Sequence, residues 1–265
     1  MSYRTLSILA ALFVSSAFIP TMLAGPADDA FDQGQQALAA KDYTTAIAKL
    51  QQAVQLDPDS LRNSSQLRQA VLRQTIAAHP KEGSTADFDA EIAFFQKAAA
   101  DHPMSSNILL NYGFAYVDKI PAAGSITQVI LANTALTQFG KSIELKPTWI
   151  ALYTRGNSYL YWPRVFARAS LGVADLEKAY AMQKSEPKKS YHVRVYISLG
   201  DGYWKTDNIE KARSMWQEGL QAFPDSQPLK DRLSKQGDDL KTYIDNVLDP
   251  NKRVDTDLKE LWMQS

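Results

Sequence analysis

The chain is 265 residues long, balances 29 basic against 29 acidic side chains, and contains no cysteine. A net charge of zero gives no reason to expect the clustered basic face that nucleic acid or an anionic membrane requires. Without cysteine there are no disulfides, thiolate nucleophiles, cysteine-ligated zinc sites or iron–sulfur clusters, while 45% hydrophobic and 22% charged residues make a soluble globular balance with length for one sizeable core.

In chain order, the N-terminus has Arg4, an apolar-biased run from Leu6 to Ile19, small residues, and then Asp28 and Asp29. The run is short for a bilayer span but suits the apolar region of a secretory signal. Residues 1–27 are therefore read as a signal peptide, with Ala24 and Ala27 as alternative cleavage points. An uncleaved anchor and a buried N-terminal helix are the competing readings. No cysteine follows the run, so lipidation there is excluded. The expectation is a periplasmic or secreted protein with no membrane span once the signal is removed.

Residues 28–226 read as helices in pairs. From Ala30 to Ser60, Gly34 precedes Pro58 by 24 residues, and Ala46, Leu50 and Ala53 precede it by 12, 8 and 5. Next comes an amphipathic run from Gln66 to Ala78, then a helix carrying Ala98 five residues before Pro103. A third unit has Tyr112, Gly113, Phe114 and Tyr116, a non-helical insert (IPAAGS), and a helix with Ala135, Phe139 and Ser142 ahead of Pro147. The fourth has Gly156 and Tyr159, the turn Trp162-Pro163, and a helix to about Lys184 with Leu176 and Ala179. In the fifth, Gly200, Ala212, Trp216 and Gly219 precede Pro224 by 24, 12, 8 and 5 residues, repeating the first unit. Asp207 and Glu210 have the spacing of a capping box. Unit-closing prolines fall at 58, 103, 147, 187 and 224, spaced by 45, 44, 40 and 37 residues. Residues 227–265 add a stripe of Leu229, Leu233, Leu240 and Ile244, read as one capping helix, then a charged tail in which Leu258, Leu261 and Trp262 form a short docking helix.

The physics of the pattern is local. Small residues let antiparallel helices approach, bulky ones fill the surrounding space, and proline ends the second helix. Tyr196, Leu199, Gly200, Tyr203, Ala212, Trp216, Gly219 and Pro224 together resemble the tetratricopeptide repeat (TPR), a helix–turn–helix unit of 34 residues. The resemblance implies an all-α, TPR-like helix-turn-helix solenoid, a right-handed superhelix of about five pairs with a C-terminal capping helix. The longer spacings imply longer helices or connecting loops in the middle units.

The search for catalytic chemistry finds none of the familiar constellations. His79, His102 and His192 are far apart, and no HExxH, GxSxG, P-loop or dinucleotide fingerprint occurs. Asp57-Pro58-Asp59 reads as a turn between repeats. Asp87, Asp89 and Glu91 read as acidic residues favourable at a helix start. No enzyme activity, cofactor or metal is expected. Proteins of the resembled class line a concave groove with the first helix of each pair. The resemblance places Asn107, Leu110, Phe114, Val117 and Asp118 there, then Ile150, Tyr153, Asn157, Leu160 and Tyr161, then Arg194, Ile197, Asp201, Trp204 and Lys205. Tyr153, Asn157, Tyr161, Arg194, Asp201, Trp204 and Lys205 are the candidate partner-binding residues, the alternative being that the aromatics only pack between repeats. Asn157 and Arg194 partly match the family's carboxylate clamp, whereas Phe31 and Gln35 do not. The implied function is an exported, non-enzymatic adaptor or scaffold for a protein or peptide partner in the cell envelope, with no nucleic-acid partner. The alternative is a small-ligand or glycan-binding protein using the Tyr/Trp cluster, which a closed apolar–aromatic pocket would favour.

Overall fold

The computed structural model describes residues 25–78, 85–250, 252 and 254–264. The expected signal segment, up to residue 24, and His79 lie outside them. Gly25 is the N-cap of the first helix, and Pro26 opens it. The described residues form thirteen α-helices and no strand. No described helix is long and apolar enough to cross a membrane.

Ten helices form five pairs. The first helices are α1 (Pro26–Ala39), α3 (Leu61–Ala78), α5 (Ser106–Lys119), α7 (Trp149–Leu160) and α9 (Val193–Lys205). Their partners are α2 (Tyr43–Leu56), α4 (Thr85–Asp101), α6 (Ser125–Leu145), α8 (Ala169–Lys184) and α10 (Ile209–Ala222). Each partner helix ends two or three residues before its proline, because a ring without an amide hydrogen cannot extend the ladder. The all-α solenoid read from the repeats is the architecture found.

Close approach within a pair rests on glycine. A Cβ on Gly200 would lie 2.1 Å from Nε1 of Trp216, a fully buried side chain, and one on Gly113 would lie 2.4 Å from the Phe139 ring. The second pair is the loosest: α3 has no glycine, and α4 packs more closely on α5 than on α3.

The excess length in the middle units has identifiable sources. Helix α6 has 21 residues against 14 in α2 and α10. The α7–α8 connection carries a short 3₁₀ turn, Arg164–Phe166, and then Ala167 in the left-handed region at φ 51°. The IPAAGS insert contains the 3₁₀ turn Ile120–Ala122, and Gly124 caps α6.

Two expectations need correction. The cap of α10 is not Asp207 with Glu210 but Asn208, whose side chain accepts from the Lys211 amide at 3.2 Å; Asp207 occupies the left-handed region at φ 61° and turns the chain. The C-terminal stripe belongs to two helices, α11 (Gln227–Ser234) and α12 (Gly237–Val247), because Gly237 at φ 51° breaks the run. Leu229, Leu240 and Ile244 nevertheless bury in one core, and a buried bidentate pair from Arg232 to Asp201, 2.6 Å at both oxygens, fixes α11 on α9.

Buried apolar side chains form two clusters that meet at α5. Ile108, Tyr112 and Ala115 face the N-terminal cluster; Leu110 and Phe114, on the other side of the same helix, face the C-terminal one. A substitution at the closest contact tests this packing. Gly200→Ala is expected to destabilise the protein by about 1–3 kcal/mol, because the added carbon would overpack against the fully buried Trp216 indole. Gly124→Ala, with nothing within 4 Å of the added carbon, is expected to cost at most about 1 kcal/mol, through the poorer N-cap it gives α6. Urea denaturation of the two variants reads both values.

Candidate functional site

The five first helices contribute one inner surface, and the chain's own C-terminal segment crosses it. After α12 the chain returns through Pro250 and Val254 and ends its described course in α13 (Lys259–Met263), which packs on α3. Leu258 and Leu261 bury in the C-terminal cluster. Trp262 packs against the N-terminal cluster, its ring edge-to-face with Phe31 at 6.2 Å. The expected docking helix is therefore present, and it bridges both cores.

Polar contacts hold the segment. Arg68 of α3 is fully buried, and each guanidinium nitrogen donates to a different acceptor. Nε reaches Asn111 at 2.9 Å, Nη1 reaches Asp118 at 2.7 Å and Nη2 reaches the Thr256 carbonyl at 2.9 Å. The guanidinium also lies 4.5 Å over the Phe114 ring. The Thr256 hydroxyl donates to Asp118 at 2.5 Å. Further along, Arg194 pairs with Glu260 at 3.3 Å and lies 4.0 Å from Asp255, Ser190 bonds to Glu260, and Lys189 donates to the Gln264 carbonyl.

Beside this strap lies a cavity of about 550 Å³. Its walls come from α5, α6, α7, α9, the α7–α8 loop and the tail, and its aromatic lining is Phe114, Trp149, Tyr153, Tyr161, Trp162 and Phe166. Trp149 and Tyr153 stack with centroids 5.1 Å apart and planes 10° apart, and Trp149 Nε1 donates to Gln183 at 3.0 Å. Burial pushes the Tyr153 phenol up, and burial with Tyr153 as neighbour takes Tyr161 up to about 12. Both phenols are neutral hydrogen-bonding groups at physiological pH.

The structure divides the seven candidate residues. Tyr153, Asn157, Tyr161 and Arg194 line this one cavity. Asn157 accepts from the Ser198 hydroxyl at 2.8 Å. The other three are occupied elsewhere. Asp201 is held by Arg232. Trp204 is buried, with the Arg164 guanidinium 4.4 Å over its ring. Lys205 donates to the carbonyls of Leu160 and Trp162, the latter at 2.9 Å, so its charge satisfies the C-terminal end of α7. Burial, with Arg164 nearby, lowers its pKa. Repeat position gives the right face of a helix but not its occupant, and here the chain itself is the occupant.

The acidic trio also divides. Asp87, in the first turn of α4, accepts from Thr75 at 3.1 Å; Asp89, beyond that turn, pairs with Lys119 of α5. Glu91 departs from the helix-start reading. It is 2% exposed, and neither carboxylate oxygen has a hydrogen-bond partner among the described residues. Burial raises its pKa well above the carboxylate range, and Asp118 adds to this while Arg68 opposes it. One guanidinium lies near both carboxyls, and of the two only Asp118 accepts a hydrogen bond from it. Of the other histidines, the His102 amide closes the end of α4 on Ala98, and His192 is buried with its ring 5.7 Å from Trp149. No group of three His, Asp or Glu side chains among the described residues is placed to hold a metal ion. Sequence reading missed Arg68 and Glu91. The available signal was a charged residue on the buried stripe of its helix, Glu91 lying between Phe88 and Phe95.

No family model matches the sequence, and no curated protein matches it. Solved structures do match. TTC0263, a thermophilic TPR protein from Thermus thermophilus, aligns at a TM-score of 0.53 and 15% identity over 78% of this chain and 97% of its own. A tetratricopeptide repeat protein from Parabacteroides merdae aligns at 0.54 and 15% over 84% and 75%. YrrB, described as a TPR protein with an unusual peptide-binding site, aligns at 0.50 and 13% over 79% and 92%.

Glu91 gives a pH test. An unfolded Glu titrates near about 4.3, whereas the folded group keeps its proton to higher pH. Its contribution to folding is therefore favourable below the unfolded value and is lost as pH rises through the raised folded value. Glu91→Gln removes that loss. The variant is expected to be more stable than the native chain by roughly 1–3 kcal/mol at neutral pH, with the difference closing near pH 4. Chemical denaturation across that range measures it. A variant less stable at neutral pH would mean that Glu91 is ionised and carried by Arg68. At these similarities the comparisons establish the architecture, and the chain has the fold of the TPR solenoids.

Proposed function

We propose that this protein is an exported, non-enzymatic binding protein or scaffold that holds a segment of a protein partner on its concave face. The observation that carries this reading is the tail itself. Residues of α1, α3, α5 and α9 already grip a stretch of polypeptide, non-helical at Thr256 and helical over Lys259–Met263, through one backbone carbonyl, paired charges and an aromatic contact. Arg and aromatic side chains are the usual anchors of such interfaces. YrrB, on the same fold, is described with a peptide-binding site; that supplies a partner class to test. Export rests on the apolar run from Leu6 to Ile19. A second reading, small-ligand binding, is favoured by one observation, the aromatic cavity beside the tail.

The experiment releases the tail and asks whether the face binds in trans. Leu258→Asp/Leu261→Asp, shown to be folded by circular dichroism, is titrated with a synthetic peptide of residues 254–264. Saturable binding with a Kd of roughly micromolar order is expected, weakened about tenfold or more by adding Tyr153→Ala/Arg194→Ala. In-cell crosslinking of the tagged native chain, scored by mass spectrometry beside the Tyr153→Ala/Arg194→Ala variant, then identifies the natural partner. Absence of trans binding by a folded, tail-released chain overturns the concave-face reading. Recovery of the tagged chain in the cytoplasm overturns the export reading.

A further inference from the structure

The cavity is too large to be a packing defect. Protein interiors are close-packed, with few voids larger than a water molecule, and about 550 Å³ lies within the range of built ligand sites. Its lining is mostly carbon, so burying an apolar group there removes more apolar than polar surface from water. One end is deep: Leu258 and Leu261 of the tail are 3% and 8% exposed. The other end is open: Val129 and Phe166 line the cavity and are 50% and 57% exposed.

The open end has an apolar rim. Ile126 and Ile130 share a face of α6 with Val129 by i, i+3 and i+4 spacing, and are 83% and 60% exposed. Val165, beside Phe166, is 85% exposed. Apolar side chains gathered on a surface mark an interaction or ligand site, and here they continue an apolar lining.

Charge selects among apolar ligands. Two lining cations, Arg168 and Lys252, form no ion pair among the described residues. Arg168 lies 3.7 Å over the Trp162 ring and donates to Asn133 at 2.8 Å; Lys252 donates to the Asn246 side chain at 2.6 Å and to its carbonyl at 2.9 Å. Of the lining carboxylates, Asp118 is held by Arg68, and Asp255 lies exposed 4.0 Å from Arg194, so the lining cations outnumber the carboxylates.

We propose that this cavity binds a single-chain amphiphile with an anionic head, the acyl chain lying among Phe114, Trp149 and Tyr153 and the head meeting Arg168 and Lys252. Free fatty acids and lysophospholipids share that chemistry. The proposal rests on the small-ligand reading and is independent of the peptide reading.

Palmitate and lysophosphatidylglycerol, each below its micelle concentration, are titrated into the full-length protein. Tryptophan fluorescence is the readout, since Trp149 and Trp162 line the cavity. Expected is saturable one-to-one binding of at least one of them, the tighter ligand identifying the source. Hexadecyltrimethylammonium, with the opposite charge, is expected to bind about tenfold more weakly. Ala132→Trp, which fills the cavity from α6, and Val129→Asp, a change at the exposed mouth, are each expected to weaken binding about tenfold or more with unchanged circular dichroism; Val129→Asp stands if the first variant misfolds. Arg168→Gln is expected to narrow the gap between anion and cation. Nile red separates the two levels of failure. Nile red binding lost in the cavity variants, with neither lipid bound, keeps the small-ligand reading and overturns the anionic-acyl assignment. No saturable binding of any probe, or binding unchanged in folded variants, overturns both. Equal affinity for the cation overturns the head-group assignment.

Discussion

A guanidinium buried without partners costs far more than a domain's net stability allows, so Arg68 dictates what must surround it. Its acceptors come from one neighbouring helix and from a segment 188 residues away in sequence. An open concave face would leave the Nη2 donor to water. With Thr256 in place, α3, α5 and the tail become a single polar unit inside an otherwise apolar contact. The two hydrophobic clusters, which divide along α5, are then bridged a second time by Leu258 and Leu261 on one side and Trp262 on the other. The solenoid is thereby closed across its inner face, where a bare repeat array would contact only its neighbours.

The same unit explains the placement of Glu91. Two carboxyls lie near one cation, and the hydrogen-bonding geometry is given to Asp118. Glu91 keeps its proton chiefly because burial disfavours its charged form, and the neighbouring Asp118 carboxylate adds to the shift. Buried ion pairs also order the rest of the array. Arg155 grips Asp175 between α7 and α8 at 2.6 and 2.8 Å, and Arg232 grips Asp201 between the cap and α9. Such pairs add little net stability, but a fork-shaped donor meeting a carboxylate fixes one register.

The departures from a strict repeat build the cavity. An α6 seven residues longer than α2 overhangs α5 and α7 and supplies Val129 and Ala132 as one wall. The long α7–α8 connection, stapled by Arg164 to the end of α9, supplies Trp162 and Phe166 as another. In a repeat of minimal length neither wall would exist, and the aromatic side chains of α7 would face an open groove.

Much of this was legible in one sequence. Glycine opposite a bulky residue and proline beyond a helix end are local demands of two helices in contact. They fixed the five pairs, the ends of the second helices and the all-α class, and the excess spacing already said that the middle units carry additional chain. The inner-face positions of α7 and α9 were also readable, because helical periodicity sets which side chains share a face. What those side chains meet was not. Asp201, Trp204 and Lys205 have the register of binding residues, yet tertiary neighbours, Arg232, Arg164 and the carbonyl end of α7, consume them. Glu91 looked like a helix-start acid because burial is not a local property. The tail showed an apolar stripe but no destination. Only the folded chain, by bringing Thr256 to Arg68, decided that the concave face is filled and that a cavity remains beside it, since contacts across such sequence separations follow from packing in three dimensions and leave no period in the sequence.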